Sequence, residues 1–239
     1  MVLVYLMDWY RSCMGPKPAS TQADGNATVS VAEYRVPQKA RDAMHKAEQA
    51  LSKHNFDDVT KFLAKALSIY PSYAPALTLK GVLSLDKNQV QAAIDDFDAA
   101  IHADSSYAVA YTGMGAALNE LKKFDEALMS CDRAVTLSPD SWQPYYEMSK
   151  SYVGKADYQH ALQQLTKAQS FNPNEYAPIH LVRAHVMLAL KDYSSAMNEL
   201  QRFLTLAPED RNSAVARDTL AKVKAFTASA ENPVAPATK

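Results

Sequence analysis

Cysteine is scarce in this chain: Cys13 and Cys131 are the two present in 239 residues. They lie far apart and in unlike surroundings, so they give neither a disulfide framework nor a zinc-ligand spacing. A dominant charge is missing as well. Lys and Arg total 25 against 26 Asp and Glu, a net charge of −1. No whole-chain electrostatic case for nucleic acid follows, and no run of five or six like charges suggests a basic arm or an acidic tail. Long apolar runs are absent too. Val2–Met7 is apolar but ends at Asp8, short of the basic start and roughly 7–15 apolar residues of a secretory signal. Tyr10-Arg11-Ser12 before Cys13 lacks the apolar and small residues of a lipidation site. No stretch nears the roughly 20 apolar residues of a membrane span. A cytoplasmic protein is the default expectation, with an exported or envelope-associated one the alternative if the chain begins upstream of Met1.

What the chain does have is apolar content and self-similarity. Apolar residues make up 48% of it, a globular proportion. Tyr70-Pro71, Ser138-Pro139, Asn172-Pro173 and Ala207-Pro208 each close an amphipathic run, and Ser105 stands where a fifth proline would fall. Positions 71, 105, 139, 173 and 208 are separated by 34, 34, 34 and 35 residues. Other columns hold the same register. Twelve residues earlier come Val59, Ala93, Ala127, Ala161 and Ala196. Fifteen earlier come Phe56, Val90, Phe124, Tyr158 and Tyr193. Eight earlier come Leu63, Phe97, Cys131, Leu165 and Leu200, and five earlier Ala66, Ala100, Ala134, Ala168 and Phe203. Twenty-four earlier come Ala47, Gly81, Gly115, Ser149 and Ala184, all small.

Each column has a physical use. Small residues let paired helices approach. An aromatic residue at the turn fills the gap between them. The leucine-like column faces the next unit, and proline ends the second helix because it cannot continue the backbone ladder. One unit cannot bury these faces alone, whereas a stack gives a continuous core.

The pattern resembles the tetratricopeptide-repeat family, most clearly over Gly115 through Pro139, GAALNELKKFDEALMSCDRAVTLSP. The resemblance covers about 171 of 239 residues, from Ala40 to Asp210. It implies an all-α, right-handed α-solenoid of five helix–turn–helix units at about 40–73, 74–107, 108–141, 142–175 and 177–210. The pattern predicts first helices near 38–53, 73–86, 107–120, 141–154 and 176–190. Second helices are expected near 56–69, 90–103, 124–137, 158–171 and 193–206. A capping helix is expected near 211–227, behind Asp210 as cap, with Ala216, Leu220 and Val223 on one face. Residues 1–37 are expected to be a flexible segment and lead-in, and 228–239 a flexible tail.

Residues placed for chemistry are few. His45, His54, His102, His160, His180 and His185 form no two-histidine metal motif, and solvated or groove positions are expected for them. Asp95, Asp96 and Asp98 read as a solvated helix face. Gly113-Met114-Gly115 sits inside a predicted helix and is no phosphate loop. Cys131 occupies a packing column and reads as a small buried hydrophobe. No catalytic residue, cofactor or metal is expected, nor an enzyme.

By the resemblance, first helices line a concave surface that meets a protein or peptide partner. Its expected lining is Met44 and Glu48 in unit one, Thr78 and Val82 in unit two, Thr112 and Asn119 in unit three, Tyr146 and Lys150 in unit four, and Leu181 and His185 in unit five. Tyr146 is the expected anchor. Some family members clamp acidic chaperone tails with cations from three consecutive first helices. Those positions hold Met44, Glu48, Leu79, Val109 and Gly113 here, and shifting by one or two units also fails to supply the cations, so that function is disfavoured. The leading expectation is a protein-interaction scaffold. The alternatives are a regulatory subunit of an enzyme complex and a self-associating protein using Tyr73, Tyr107, Trp142 and Tyr176 at the unit starts.

Overall fold

The computed structural model describes residues 36–172 and 175–231, and among these it holds eleven α-helices and no strand. The five pairs are α1 Gln38–Ser52 with α2 Phe56–Ile69, α3 Ala74–Asp86 with α4 Val90–Ala103, α5 Ala108–Glu120 with α6 Phe124–Leu137, α7 Trp142–Gly154 with α8 Tyr158–Phe171, and α9 Ala177–Ala189 with α10 Tyr193–Leu206. The last helix, α11, is Ser213–Glu231. Each first helix packs mainly on its own second helix, and each second helix passes the chain to the next unit's first helix.

The turn inside every unit is the same left-handed cap. His54, Asn88, Lys122, Ala156 and Lys191 have φ of 55°, 59°, 59°, 57° and 60°. The N–H of the next residue reaches back to close the ladder, as Asp157 N–H does to Tyr152 C=O at 2.8 Å and Gln89 N–H to Ser84 C=O at 2.8 Å. This is a Schellman closure, which satisfies carbonyls the helix end would leave orphaned. The residue making that bond then starts the second helix. Asn55, Asp157 and Asp192 cap it with their side chains, whereas Gln89 and Lys123 do not.

Second helices end where proline follows, because a residue before proline is driven out of helical geometry. Tyr70 before Pro71 has φ −139° and ψ 91°, and Ser138 before Pro139 has φ −146° and ψ 81°. Unit two lacks the proline, and Asp104 does the job instead. Its carboxylate accepts the Ser106 N–H at 2.9 Å and the Ser106 hydroxyl at 2.6 Å, a side-chain turn that replaces the missing constraint. Pro173 lies outside the described residues.

The small-residue column is small for a steric reason. A Cβ on Gly81 would sit 2.8 Å from the Phe97 ring, and one on Gly113 would sit 2.4 Å from it. Phe97 of α4 is therefore held between α3 and α5 and is fully buried. A Cβ on Gly115 would meet Cys131 Sγ at 2.4 Å. Cys131 is buried, free and without reactive character, since burial first and Glu147 second push its thiol well up.

Three places differ from the sequence expectation. The capping helix starts at Ser213, two residues later than expected, and continues to Glu231. Asp210 turns the chain before it, accepting the Asn212 N–H at 2.7 Å, and Ser213 anchors the start by donating to Ala207 C=O at 2.6 Å. Ala216, Leu220 and Val223 are buried on it, at 1%, 7% and 9% exposure. The tail expected from 228 is helical as far as 231, and 232–239 lies outside the described residues, as does 1–35 of the N-terminal segment.

The second correction is Asp96, expected in solvent beside Asp95 and Asp98. It is buried, accepts from Lys80 Nζ at 2.5 Å and from the Ser84 hydroxyl at 3.4 Å. The third is His180. It is buried rather than solvated, and its Nδ1–H donates to Glu199 at 2.6 Å while Arg183 meets the same carboxylate at 3.4 Å. Arg183 and Glu199 in unit five stand at the same two register positions as Lys80 and Asp96 in unit two. Buried charge of this kind is tolerable only when paired, so the register repeats the pair and not one partner.

Candidate peptide groove on the first helices

Gly81 marks the side of α3 that faces its own second helix. Val82 is one residue on, about 100° round the helix, and Thr78, Val82 and Asp86 lie one above another at spacing four. The equivalent stripe is Met44 and Glu48 on α1, Thr112 and Ala116 on α5, Tyr146 and Lys150 on α7, and Leu181 and His185 on α9. The first helices of units two to five touch in succession, which joins their stripes into one surface.

Burial along that surface is graded. Met44 is 2% exposed, Thr78 and Val82 are 0%, Thr112 is 3% and Ala116 is 5%. Tyr146 reaches 9% and the Lys150 side chain 29%. Leu181 is half-buried and His185 is exposed. Glu48 is half-buried at the first unit. Units one and four each pair a buried stripe residue with a half-buried one, units two and three are the most shielded, and unit five is the most open.

Units three and four meet through a polar network. Asn119 donates through Nδ2 to Glu147 C=O at 2.9 Å and to the Glu147 carboxylate at 3.2 Å. The Ser151 hydroxyl donates to Asn119 Oδ1 at 2.6 Å. Lys150 Nζ lies 2.9 Å from the same Glu147 carboxylate and 5.7 Å from the Tyr146 ring centroid. Burial alone would push the Lys150 ammonium down, but Glu147 and Tyr146 overcome it and hold the group above its ordinary value. The Tyr146 phenol is pushed up to about 12, chiefly by burial and opposed by Lys150. Lys150 is therefore a fixed cation over an aromatic ring, tied to a buried carboxylate.

Tyr146 is also the centre of an aromatic cluster. Its ring centroid is 6.2 Å from Trp142 and 5.5 Å from Tyr176, both edge-on, and Trp142 lies 4.7 Å from Tyr176. Such edge contacts suit the ring quadrupoles. Trp142 and Tyr73 are buried and Tyr107 and Tyr176 are half-buried, so the aromatic residues at the unit starts do not make an exposed apolar edge.

The stripe carries polar atoms with no partner among the described residues. Thr78 Oγ1 and Asp86 Oδ1 are acceptors of this kind, and Gln143 Nε2 at the start of α7 is a donor. Burial pushes the Asp86 carboxyl up, with Lys87 and Arg211 partly offsetting it. Leaving such atoms unpaired costs on the order of 1–3 kcal/mol each.

The expected residues other than Asn119 thus hold equivalent register positions on the five first helices, although Met44, Thr78, Val82 and Thr112 keep almost no exposed area. Glu147, Gln143, Ser151 and Asp86 belong to the same surface and were not among the expected lining. The register alone held the signal, since Asp86 completes the Thr78–Val82 stripe at spacing four, and Glu147 and Ser151 each adjoin a predicted lining residue. His180 and His185 do not converge, and among the described residues no group of His, Cys, Asp and Glu is arranged to hold a metal. No described helix is long and apolar enough to cross a membrane. A separate open concavity of about 450 Å³ lies on the second-helix side, lined by Ile94, Met114, Leu118 and the exposed Leu121 and Met129.

Fold and register together define a right-handed solenoid of repeated helix pairs, a class built as a scaffold. The chain shares the fold of tetratricopeptide-repeat solenoids. The tetratricopeptide-repeat family profile matches residues 108–141, which is unit three as laid out above. A curated relative, a homologue of DnaJ homolog subfamily C member 7 from Dictyostelium discoideum, is 26% identical over 136 residues, half of this chain. The chain spans a quarter of that relative's length. A thermophilic tetratricopeptide-repeat protein of Thermus thermophilus superposes with a TM-score of 0.64 at 16% identity, over 77% of this chain and 98% of that one. YrrB, whose structure is described as having an unusual peptide-binding site, superposes with a TM-score of 0.51 at 20% identity, over 75% and 92%.

Proposed function

We propose that this protein holds a peptide or partner segment along the first-helix groove, with Tyr146 as the apolar anchor and Lys150 as the polar contact beside it. The observation that carries the reading is the set of buried polar atoms on this surface. Thr78 Oγ1 and Asp86 Oδ1 accept and Gln143 Nε2 donates, and none has a partner among the described residues. An extended backbone supplies the N–H and C=O groups that such atoms lack. Apolar side chains at Val82, Ala116 and Leu181 alternate with them and suit pockets for alternate residues of the bound segment. The peptide-binding description of YrrB is in keeping with this use of the fold.

The tethered 239-residue chain is the reagent for the test. Partners captured by the parent chain are compared with those captured by Tyr146→Ala combined with Lys150→Glu. Met129→Glu on the second-helix side is the control. Loss in the groove variant, retention in the control, and an unchanged helical circular dichroism spectrum support the assignment. Capture that is indifferent to the groove substitutions removes it.

A further inference from the structure

We propose that α11 pairs with the α11 of a second copy, antiparallel about a two-fold axis, so that Arg217 of each meets Asp218 of the other. The residues involved are not those of the groove stripe, and the pairing does not depend on what the groove holds. The first support is register. Nine, ten and thirteen residues after Pro71 come Lys80, Gly81 and Ser84. All three face their own second helix: Lys80 and Ser84 meet Asp96, and Gly81 lies against Phe97. Nine, ten and thirteen residues after Pro208 come Arg217, Asp218 and Ala221. The last helix therefore stands as a sixth first helix, packed on α10 as each first helix packs on the helix before it. Among the described residues no second helix follows it, and Ala214, Arg217, Asp218, Ala221 and Ala225 are exposed on the face that would take one.

The second support is chemistry at the Lys80 position. Units one, two and five hold a cation there, and each cation meets an aromatic or acidic group of its own second helix. Lys46 Nζ lies 6.0 Å from the Phe62 ring centroid, Lys80 Nζ 2.5 Å from Asp96, and Arg183 3.4 Å from Glu199. Units three and four hold Met114 and Met148 instead, with uncharged Ser130 and Gln164 at the partner position. The cation and its partner thus come and go together. Arg217 is the fourth cation of the set. It donates to Pro208 C=O at 2.6 Å and is otherwise turned to solvent. What covers this face must therefore bring a helix with an acidic or aromatic group for Arg217.

The third support is charge complementarity, and it selects a second copy. Asp218 stands in the column that holds Ala47, Gly81, Gly115, Ser149 and Ala184 in the five units. The face thus carries one cation and one anion side by side, a patch that complements itself under a two-fold axis, as an isologous interface requires. Antiparallel pairing that sets Arg217 opposite Asp218 also sets Ala214 opposite Ala221, and these short side chains leave room for the helices to close. Antiparallel is the direction each second helix takes to its own first helix across the short turn. Asp218 is held by Lys222 at 2.6 Å, but that pair is exposed and one turn apart, so exchanging it for Arg217 of the copy costs little. One helix pair buries less than the standard interface of about 1,600 Å², which sets the dissociation constant in roughly the micromolar range.

The test is sedimentation velocity on the full chain, from below to well above the micromolar range. The parent should pass from monomer to dimer. Arg217→Glu and Asp218→Arg, each alone, place like charges opposite one another and should weaken the dimer by about tenfold or more. An equimolar mixture of the two variants should dimerise again, because each then offers the other the opposite charge at both positions. Helical circular dichroism and the urea midpoint of each variant, unchanged from the parent, show that it is folded, and rescue by mixing is an outcome that a misfolded variant does not give. A parent that stays monomeric at the highest concentration overturns the proposal. So does a single variant that pairs as well as the parent, or a mixture that stays monomeric. Mass that keeps growing past the dimer overturns the closed two-fold pairing. Tyr146→Ala with Lys150→Glu should leave the dimer intact, and its loss there overturns the proposal by moving the contact to the groove.

Discussion

Replacing Ala156 by glycine should make the protein more stable, against the usual rule that glycine weakens helical proteins. Ala156 sits at φ 57° in the turn between α7 and α8. A left-handed conformation costs a non-glycine residue about 1–2 kcal/mol. Glycine removes that cost but loses about 0.5–1 kcal/mol more chain entropy on folding. The difference is a gain of about 0.5–1 kcal/mol. Nothing is lost in packing, because Ala156 is exposed. The turn itself stays fixed by two backbone bonds, Ala156 N–H to Val153 C=O at 3.0 Å and Asp157 N–H to Tyr152 C=O at 2.8 Å. The assay is urea unfolding followed by circular dichroism, with the midpoint rising at constant slope. For a domain of this size the gain corresponds to roughly 1–4 °C in thermal midpoint. Asn88 at φ 59° is the internal control. Asn tolerates this region better than other side chains, so Asn88→Gly should gain less. Ala156→Val should lose stability. A glycine variant at 156 no more stable than the parent, or a gain at 88 as large as at 156, would refute the reasoning.

Other substitutions follow from the same structure. Gly81→Ala should cost about 1–3 kcal/mol by pressing on the Phe97 ring, and Phe97→Ala about 3–5 kcal/mol through the cavity it leaves, both read by urea unfolding. Lys150→Met should cost about 3–5 kcal/mol, because it leaves the buried Glu147 carboxylate without its cation; Glu147→Gln in the same background should restore part of the loss. Glu199 is held below its ordinary value of 4.5: burial opposes this, but the His180 hydrogen bond and the Arg183 charge outweigh it. The unfolded chain therefore takes up this proton first as pH falls. The stability it contributes is complete above the ordinary value and is lost below it, as pH drops through the lowered one. Glu199→Gln should remove that acid-side slope in unfolding measured between pH 6 and about pH 3. Lys123→Asp should add the side-chain cap that α6 lacks, for about 0.5–1 kcal/mol.

The groove was legible in sequence only as a set of positions. Thr78, Thr112, Tyr146 and Lys150 were named by register, and register does place them on one stripe of consecutive first helices. What register does not carry is how much of each side chain water reaches. Thr78 is fully buried and His185 exposed, although both hold stripe positions. The misread groups, Asp96 and His180, share one cause. Their partners lie 16 and 19 residues away on the other helix of the same unit, and a count of nearby charges along one helix does not see them.

The sequence by itself determined the five units, the phase of each helix and the extra residue before the last unit. It could do so because the 34-residue period is written in local terms: prolines that end helices, small residues where backbones close, and apolar stripes at helical spacing. The helix ends of the five units matched to within about one residue for that reason, whereas the last helix runs four residues past its expected end. The tertiary structure alone decided that all five turns run left-handed without a single glycine, that Asp96 and Glu199 each meet a cation from the other helix of their unit, and that the stripe residues of units two and three are almost wholly shielded. Each of these depends on which side chains from other helices arrive at a given point in space, and that is fixed only when the units stack.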